Sequence, residues 1–165
     1  MEFTTTIDTP VGELLLVSDG IALTAILFDR PRGSSGRTGA GVAPFPQARR
    51  QLAEYFAGRR RDFQIPLAPV GTPFQRRVWD ALRRIPHGST ATYQEIARAV
   101  GSPRAARAVG AANACNPLAI VVPCHRVIRS DGALGGYAGG TGRKAALLNL
   151  EAARRTPGSS GGARR

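Results

Sequence analysis

The stretch IVVPCHRVI, residues 120–128, places the thiol of Cys124 between two β-branched apolar runs and puts an imidazole at the next position. A buried structural cysteine is the ordinary occupant of such a setting. Pro123 favours a fixed bend that presents the thiol, because the residue before a proline avoids helical geometry. A free thiol with a pKa of ~8.5 is only slightly ionised at neutral pH, so a neighbouring base makes it a better nucleophile. The pattern predicts a nucleophilic Cys124 activated by His125, with a structural cysteine as the alternative.

The imidazole needs a turn or a bridging water to reach the sulfur, because adjacent side chains on an extended chain point apart. It also needs a carboxylate to orient it. A helix is predicted from about residue 142, and Glu151 lies late in it between apolar neighbours. Glu151 is therefore a candidate orienting carboxylate, and a solvated surface charge is the alternative.

The composition indicates a soluble protein with a polyanionic partner. The chain has 165 residues and a formal net charge of +12, and phosphate contacts favour such a charge. Only Lys144 among the 23 basic residues is a lysine, and Ala, Gly and Pro are abundant, so coding bias explains part of the charge. Two cysteines are too few for a disulfide scaffold and lack zinc-site spacing. The longest apolar run, residues 21–28, is too short to span a bilayer, so we expect a cytoplasmic protein.

The first part of the chain is typical of a small α+β lobe. Residues 3–7, 13–17 and 21–28 are short β-prone runs separated by turn residues, which predicts an antiparallel meander. A flexible surface loop is expected over residues 29–46, where apolar periodicity is missing. Residues 47–56 have helical periodicity, and residues 62–67 read as one more strand.

The second part is predicted to be mostly helical. Thr72 and Pro73 form an N-cap and a first-turn proline, and apolar residues then repeat at helical spacing up to Ile85. Thr92 stands three residues before Glu95, the spacing of a capping box at the next helix start.

A break at residues 101–103 separates that helix from another, expected over residues 104–113. The pair has the length and turn chemistry of a helix-turn-helix, and an ordinary helical hairpin is equally compatible. The second helix carries Ala105, Ala106, Ala108, Ala111 and Ala112, which cannot read base edges but permit close approach to a groove.

Arg107 is the long cationic side chain of this alanine-rich helix. It indicates DNA contact that is independent of sequence, with an inserted arginine. In the alternative, the alanines pack against neighbouring helices and Arg107 stays in solvent.

Further motifs occur in a fixed order around the cysteine. They are TPFQRRVW (72–79), GSTATYQ (88–94), AARAVG (105–110), Asn116-Pro117, PCHRV (123–127), GGYAGG (135–140) and KAALLNLE (144–151). Together they resemble the O6-alkylguanine-DNA alkyltransferases, also called methylated-DNA-protein-cysteine methyltransferases. The resemblance is weaker before residue 69.

The resemblance implies a catalytic role for five residues. Cys124 resembles the alkyl acceptor, His125 its water-mediated base, and Glu151 the carboxylate that holds the imidazole. Asn116 resembles the residue that braces the active-site turn, and a simple turn asparagine is the alternative. Tyr93 resembles the hydroxyl that protonates the departing guanine at N3, and a core aromatic at a helix start is the alternative.

The resemblance also implies a DNA-binding surface and a base pocket. Arg107 resembles an arginine finger that fills the space of a flipped nucleotide, since the alkyl carbon is out of reach inside a stacked duplex. The DNA-contacting positions carried over with it are Thr92, Tyr93, Arg104, Ala106 and Ala108. The pocket positions carried over are Pro123, Val127, Tyr137, Ala138, Gly139 and Lys144.

Two of these pocket residues have particular roles by resemblance. The carbonyl of Val127, with that of Cys124, accepts the exocyclic amine of guanine, and Tyr137 forms a wall. Ala138 stands where some members of the family have a serine hydroxyl near O6, so backbone N–H groups or Tyr93 must supply that donor.

The expected fold class is α+β. A small RNase H-like lobe of β-meander and helix, residues 1–68, packs on a mostly helical domain, residues 69–152, which holds the helix-turn-helix and the cysteine. Residues 153–165 form a disordered basic tail. No cofactor and no metal are expected.

The implied activity is direct-reversal DNA repair. Alkyl groups pass irreversibly from O6-alkylguanine, and less efficiently from O4-alkylthymine, in double-stranded DNA to Cys124, once per molecule. The protein is expected to be a monomer in solution without membrane contact, and cooperative assembly on DNA stays open.

Three other classes compete with this interpretation. An alkyltransferase-like lesion binder lacks the acceptor cysteine, whereas Cys124 is present. A helix-turn-helix regulator needs base-reading side chains after Pro103, where alanines stand. A Cys-His hydrolase would continue to turn over after its first reaction.

Overall fold

A computed structural model describes residues 1–153. Apart from Ala153, the predicted basic tail lies outside the described residues. Contacts divide the chain into two compact units: Met1–Val70 with Pro117–Val121, and Gly71–Asn116 with the chain from Val122 onward. The predicted α+β class is confirmed, with a sheet in the first unit and most helices in the second.

The first unit contains the predicted antiparallel meander. Strands β1 (Phe3–Thr9), β2 (Gly12–Ser18) and β3 (Leu23–Phe28) pair in sequence order. Leu14 and Leu16 on the central strand are fully buried, because a central strand is covered on its inward face.

A short strand, β4 (Arg37–Thr38), pairs parallel with β1 and completes the sheet order β3-β2-β1-β4. It lies inside residues 29–46, which were expected to form only a loop. Arg37 and Thr38 have no apolar alternation that would predict a strand. Their pairing arises because the tertiary fold brings this segment alongside β1.

Helix α1 spans Phe45–Phe56, two residues longer at its start than predicted. The predicted strand over residues 62–67 is wrong. The backbone groups of Gln64 form hydrogen bonds with the side-chain amide of Gln51 instead of with a neighbouring strand. This amide accepts from the Gln64 N–H at 2.8 Å and donates to the Gln64 carbonyl at 3.0 Å. Pro66 has no N–H for a ladder, so only an isolated bridge between Leu23 and Leu67 forms.

The second unit begins with α2 (Pro73–Leu82). The predicted N-cap at Thr72 and the predicted capping box at Thr92 are both present, and Thr72 also forms a capping box, which was not predicted. Thr72 accepts from the Gln75 N–H at 3.1 Å, and Thr92 accepts from the Glu95 N–H at 3.1 Å. The elements that follow are β5 (Ala91–Thr92), α3 (Tyr93–Ala99), α4 (Ala106–Ala114), a 3₁₀ turn (Cys124–Arg126), β6 (Val127–Ile128) and α5 (Thr141–Ala153).

Helices α3 and α4 pack together, and α2 packs against both. The indole N–H of Trp79 on α2 donates to the buried carbonyl of Ala112 at 2.8 Å and thereby positions α4. Helix α4 starts at Ala106, two residues later than predicted. Arg104 lies in a turn closed by a bond from Ala105 N–H to the Ser102 carbonyl at 2.8 Å, because the break after Gly101 extends past Pro103.

Residues 117–121 return to the first unit before the chain enters the 3₁₀ turn. Ile26 N–H donates to the Pro117 carbonyl at 2.8 Å, and Ala119 N–H donates to the Ile26 carbonyl at 3.3 Å. In the part of the chain that the structure describes, no helix is long and apolar enough to cross a bilayer.

Candidate active site

The 3₁₀ turn at Cys124–Arg126 supplies the bend that the imidazole needs. Cys124 N–H donates to the Val122 carbonyl at 2.8 Å, and Arg126 N–H donates to the Pro123 carbonyl at 3.0 Å. The tight turn is followed directly by β6, which pairs parallel with β5. The nucleophile candidate therefore lies at the start of a hydrogen-bonded turn rather than in a strand.

The carboxylate of Glu151 on α5 contacts both His125 and Arg126. Its Oε2 lies 2.7 Å from His125 Nε2. Arg126 donates to both carboxylate oxygens, from Nε to Oε1 at 2.8 Å and from Nη2 to Oε2 at 2.9 Å. Arg126 also donates from Nη1 to the Ile85 carbonyl at 2.7 Å. His125, Arg126 and Glu151 are all buried.

Arg126 was not predicted to have a role at the site. Its only sequence signal was its position inside PCHRV, two residues after the thiol. The fork of a guanidinium matches a carboxylate bidentately, and a buried carboxylate such as Glu151 requires such a partner. Contact between residues 25 positions apart could not be read from the local pattern.

The pKa shifts define which groups carry charge. Burial alone raises the pKa of Glu151, but hydrogen bonds from His125 and Arg126 and the positive charge of Arg126 outweigh it and hold that pKa far below its usual range. Burial lowers the pKa of His125, and its bond to Glu151 only partly opposes this. At neutral pH Glu151 is therefore an anion and His125 a neutral imidazole.

The tautomer of His125 follows from these charges. An ionised carboxylate can only accept, so Nε2 carries the proton and donates it to Glu151. Nδ1 is then the basic nitrogen. It is buried, and no group among residues 1–153 hydrogen-bonds to it.

Cys124 is only 5% exposed. Pro123 does keep it out of a strand, but the turn does not bring the thiol to the surface as expected. Burial raises the pKa of the Cys124 thiol, while a hydrogen bond with the Asn116 side chain and the charge of Lys144 partly oppose that rise. A protonated thiol in this environment needs a base before it can attack.

Asn116 lies where it can brace the turn. Its Nδ2 donates to the Val122 carbonyl at 2.8 Å, and the same side chain bonds to Cys124. A side-chain amide has two N–H donors and one acceptor, so Asn116 can bind the Val122 carbonyl and Cys124 at the same time.

Lys144 on α5 is fully buried, and its ammonium contacts the segment between β6 and α5. Its ammonium donates to the carbonyl of Val127 at 2.6 Å, to that of Gly136 at 3.2 Å, and to that of Leu134. It thus ties residues 134–136 to β6. Lys144, Val127 and Pro123 were carried over as pocket residues, yet none of them lines the cavity described next.

A cavity of about 400 Å³ opens beside α4. The expected pocket residues Tyr137 and Ala138 line it, as does Tyr93, and Gly139 is half-buried next to them. The lining also includes Gly110, Asn113 and Ala114, which sequence reasoning missed, and Gly136 from the GGYAGG motif. The first three share one face of α4 at spacings of three and four, a signal that was present in the sequence.

Tyr93 begins α3 and is half-buried at the cavity. Burial raises the pKa of its hydroxyl, and negative charge on Cys124 raises it further. The Tyr93 hydroxyl is therefore protonated at neutral pH. Gly135 approaches closely, because a Cβ on it would lie 3.0 Å from the Tyr93 hydroxyl.

The expected DNA-contacting positions lie around α3 and α4. Arg104, Arg107 and Ala108 are exposed, and Ala106 is half-exposed. The hydroxyl of Thr92 is used as the α3 cap. The alanines of α4 do not share one environment, because Ala112 is buried whereas Ala108 and Ala111 are exposed. The helix therefore neither packs all its alanines against neighbouring helices nor exposes all of them for contact with a groove.

Metal ligands are not clustered in the described part of the chain, where no group of three or more His, Cys, Asp or Glu could hold an ion. Cys115 and Cys124 are both free thiols.

Two family models match successive parts of the chain. The ribonuclease-like domain of 6-O-methylguanine DNA methyltransferase matches residues 3–69, and the DNA binding domain of the same family matches residues 73–153. Together they cover most of the sequence.

Curated relatives and solved structures agree with the models. The constitutive methylated-DNA–protein-cysteine methyltransferase of Bacillus subtilis is 47% identical over 158 residues, covering 92% of this chain and 96% of the relative. The Mycobacterium tuberculosis methylated-DNA–protein-cysteine methyltransferase is 50% identical over 151 residues, covering 90% and 92%.

The crystal structure of the M. tuberculosis O6-methylguanine methyltransferase superposes with a TM-score of 0.88 at 46% identity, covering 97% of this chain and 98% of that one. The M. tuberculosis OGT in complex with DNA gives 0.87 at 47% identity, covering 94% and 96%. The chain belongs to the 6-O-methylguanine DNA methyltransferase family.

Proposed function

We propose that this protein repairs DNA by moving an alkyl group from O6 of guanine to the sulfur of Cys124, once per molecule. The observation that carries the proposal is the 2.7 Å bond between His125 Nε2 and Glu151, which leaves Nδ1 as the basic nitrogen next to the thiol in sequence. The names and the DNA complex of the relatives support the same chemistry.

The first step is removal of the thiol proton. Burial keeps the Cys124 thiol protonated, and neutral His125 takes its proton at Nδ1 through a bridging water. The resulting imidazolium is stabilised by the Glu151 anion, as in other nucleophile–imidazole–carboxylate systems. Arg126 holds Glu151 in place through two hydrogen bonds.

The second step is an in-line displacement. The thiolate forms an S–C bond with the alkyl carbon while the C–O6 bond breaks, and the electron pair of that bond leaves with guanine. Tyr93 supplies a proton to guanine at N3, since burial keeps its hydroxyl protonated until the departing base takes the proton. The product is a thioether on Cys124. Since no group at the site can hydrolyse a thioether, each molecule reacts once.

The partner is double-stranded DNA with a flipped O6-alkylguanine. The net charge of +12 favours phosphate contact, and exposed Arg107 on α4 enters the stack in place of the flipped base. The helix pair binds in the minor groove. We also propose that the protein acts as a monomer in the cytoplasm and accepts O4-alkylthymine less efficiently.

The test is stoichiometry on a duplex that carries O6-methylguanine. Intact mass should show the gain of one CH₂ per protein, because a methyl replaces the thiol hydrogen, and peptide mapping should place it on Cys124. Cys124→Ala should gain nothing, whereas the matched control Cys115→Ala should react as the wild type does. Turnover beyond one methyl per molecule, or no gain by the wild type, would contradict the proposal.

Arg107→Ala is expected to slow reaction with duplex by roughly 10-fold, because flipping costs a few kcal/mol and 1.4 kcal/mol corresponds to a factor of ten. Reaction with free O6-benzylguanine should be nearly unchanged, since no stack has to be opened. Single-turnover rates on both substrates measure the difference. Arg59→Ala, which removes an exposed charge from the first unit, is the control; equal loss on both substrates in Arg107→Ala would exclude a flipping role.

A further inference from the structure

We propose that the open edge of β1 and the adjacent face of α1 bind an extended acidic peptide of a partner protein, which adds a strand to the sheet. The site lies within the first unit. It uses none of the residues assigned to alkyl transfer or DNA contact, so the inference goes beyond the proposed function.

The two edges of the sheet are covered to different extents. The β3 edge is bonded to residues 66–68 and 117–119. On the opposite edge, β4 pairs only with Phe3 and Thr4 of β1. Residues 5–9 of β1 therefore have no neighbouring strand on that side in the described part of the chain.

The main chain of Thr6 and Asp8 points away from β2. The carbonyls of Glu2 and Thr4 accept from N–H groups at and just after β4, at 3.0 and 3.3 Å. Main-chain groups alternate in direction along a strand, so Thr6 and Asp8 point the same way. Arg49 donates to the Thr6 carbonyl at 2.7 Å. The Thr6 N–H and both main-chain groups of Asp8 have no protein partner among residues 1–153, so an extended chain can pair with them.

A groove of about 570 Å³ lies beside this edge. Its apolar lining consists mainly of Ile7 on β1 and of Leu52, Ala53 and Phe56 on α1. Ala53 is exposed, and Ile7 and Phe56 are half-buried, so this apolar surface is open to solvent. A strand added to β1 places every second side chain on the same side of the sheet as Ile7. An apolar side chain there would cover the lining.

Two arginines make the groove selective for an acidic chain. Arg49 donates from Nη2 to Thr5 Oγ1 at 2.8 Å as well as to the Thr6 carbonyl, which holds its guanidinium at the edge. Its Nε is buried and has no acceptor in the described residues. Arg50 is exposed, and of the described lining residues only Asp8 is acidic. A carboxylate is the acceptor that binds a guanidinium most strongly.

The order of these groups along α1 defines the partner. Arg49, Ala53 and Phe56 follow one another at spacings of four and three, so they share one face of the helix. The segment that fits carries a carboxylate near Arg49 and an apolar side chain further along, beside Phe56. A second copy of this chain fits less well, because it would bring the same two arginines of both copies together.

The probe is a fluorescein-labelled peptide, GETVTVTG, and the readout is its anisotropy with the full-length protein. Two further peptides carry N-methyl groups on alternate residues, one at the glutamate and valine positions and the other at the threonine positions. Only one set of amides can face β1. One methylated peptide should therefore bind about 10-fold more weakly, and the other should bind as the parent does.

Arg50→Glu should also weaken binding of the parent peptide by about 10-fold, because it replaces a charge-assisted contact by repulsion. Arg59→Glu is the matched control, since Arg59 is exposed in the same unit but does not line the groove. It should keep the wild-type affinity. Alkyl transfer by Arg50→Glu should equal that of the wild type, so the outcome for the peptide is independent of the proposed function.

Four results would overturn the inference. The first is no binding of the parent peptide by the wild type, and the second is equal binding of the two methylated peptides. Equal weakening by Arg50→Glu and Arg59→Glu would show only general attraction to a chain of net charge +12. A dimer that forms without peptide and is lost in Arg50→Glu would show that a second copy occupies the groove.

Discussion

Arg126→Met should lower the free energy of unfolding by about 3–5 kcal/mol, the usual effect of removing one partner from a buried ion pair. The methionine fills similar volume but leaves Glu151 as a buried anion without its two guanidinium bonds, which measure 2.8 and 2.9 Å. The Ile85 carbonyl also loses its donor. Urea or guanidinium unfolding at pH 7 measures the change.

Arg129→Met is the matched control. Arg129 pairs with Asp131 at 3.0 Å, but both side chains are more than half exposed. Exposed pairs contribute little, because water screens them and both partners lose side-chain freedom. Unfolding midpoints that shift equally in the two variants would show that burial of the Arg126–Glu151 pair has no special effect.

The loss of stability caused by Arg126→Met should be largest at neutral pH and should decrease in acid. The pKa of Glu151 is depressed in the folded protein from its ordinary 4.5. Its stabilising contribution is therefore complete well above pH 4.5 and is lost as pH falls below that value. The difference in stability between the wild type and Arg126→Met should shrink over the same interval.

His125→Gln should slow methyl transfer at pH 7 by about 10²–10⁴-fold, the range that general-base catalysis contributes. Glutamine keeps a polar side chain of similar size but cannot take the thiol proton. Because burial raises the pKa of Cys124, hydroxide begins to form the thiolate only above neutral pH. The rate of the variant should therefore rise with pH and approach that of the wild type.

His87→Gln is the control for this substitution, since the chain has two histidines and His87 lies outside the Glu151 cluster. It should keep the wild-type rate and pH profile. A His125→Gln variant with an unchanged rate at pH 7 would show that Cys124 does not use this imidazole.

Most of the local structure was predictable from short-range signals. Helix caps depend on residues within three positions of each other, so Thr72 followed by Pro73 predicted the start of α2, and Thr92 with Glu95 predicted the start of α3. The meander followed from alternating apolar runs and turn residues. The strand predicted at residues 62–67 failed because a side chain from another element, Gln51, took its backbone groups.

The candidate site was predictable where motif and chemistry agreed. Cys124 and His125 are adjacent, and the need for a carboxylate drew attention to Glu151, which lies 2.7 Å from the imidazole. Their catalytic roles stay predictions until the experiments above are done. The composition of the cavity was harder to predict, because the spacing of Gly110 and Asn113 places them on one face of α4 but does not show what that face contacts.

By itself, the sequence determined the nucleophile, its neighbouring base, the helix starts and the family resemblance, since these depend on residue identity and on short spacings. Only the tertiary structure decided which buried charges meet. It placed Arg126 on Glu151 and Lys144 beneath the carbonyls of residues 127–136, and it buried the Asn113 carbonyl beside the cavity. The contacts of Arg126 and Lys144 join residues far apart in the chain, and burial makes both of them necessary because water cannot replace a missing partner.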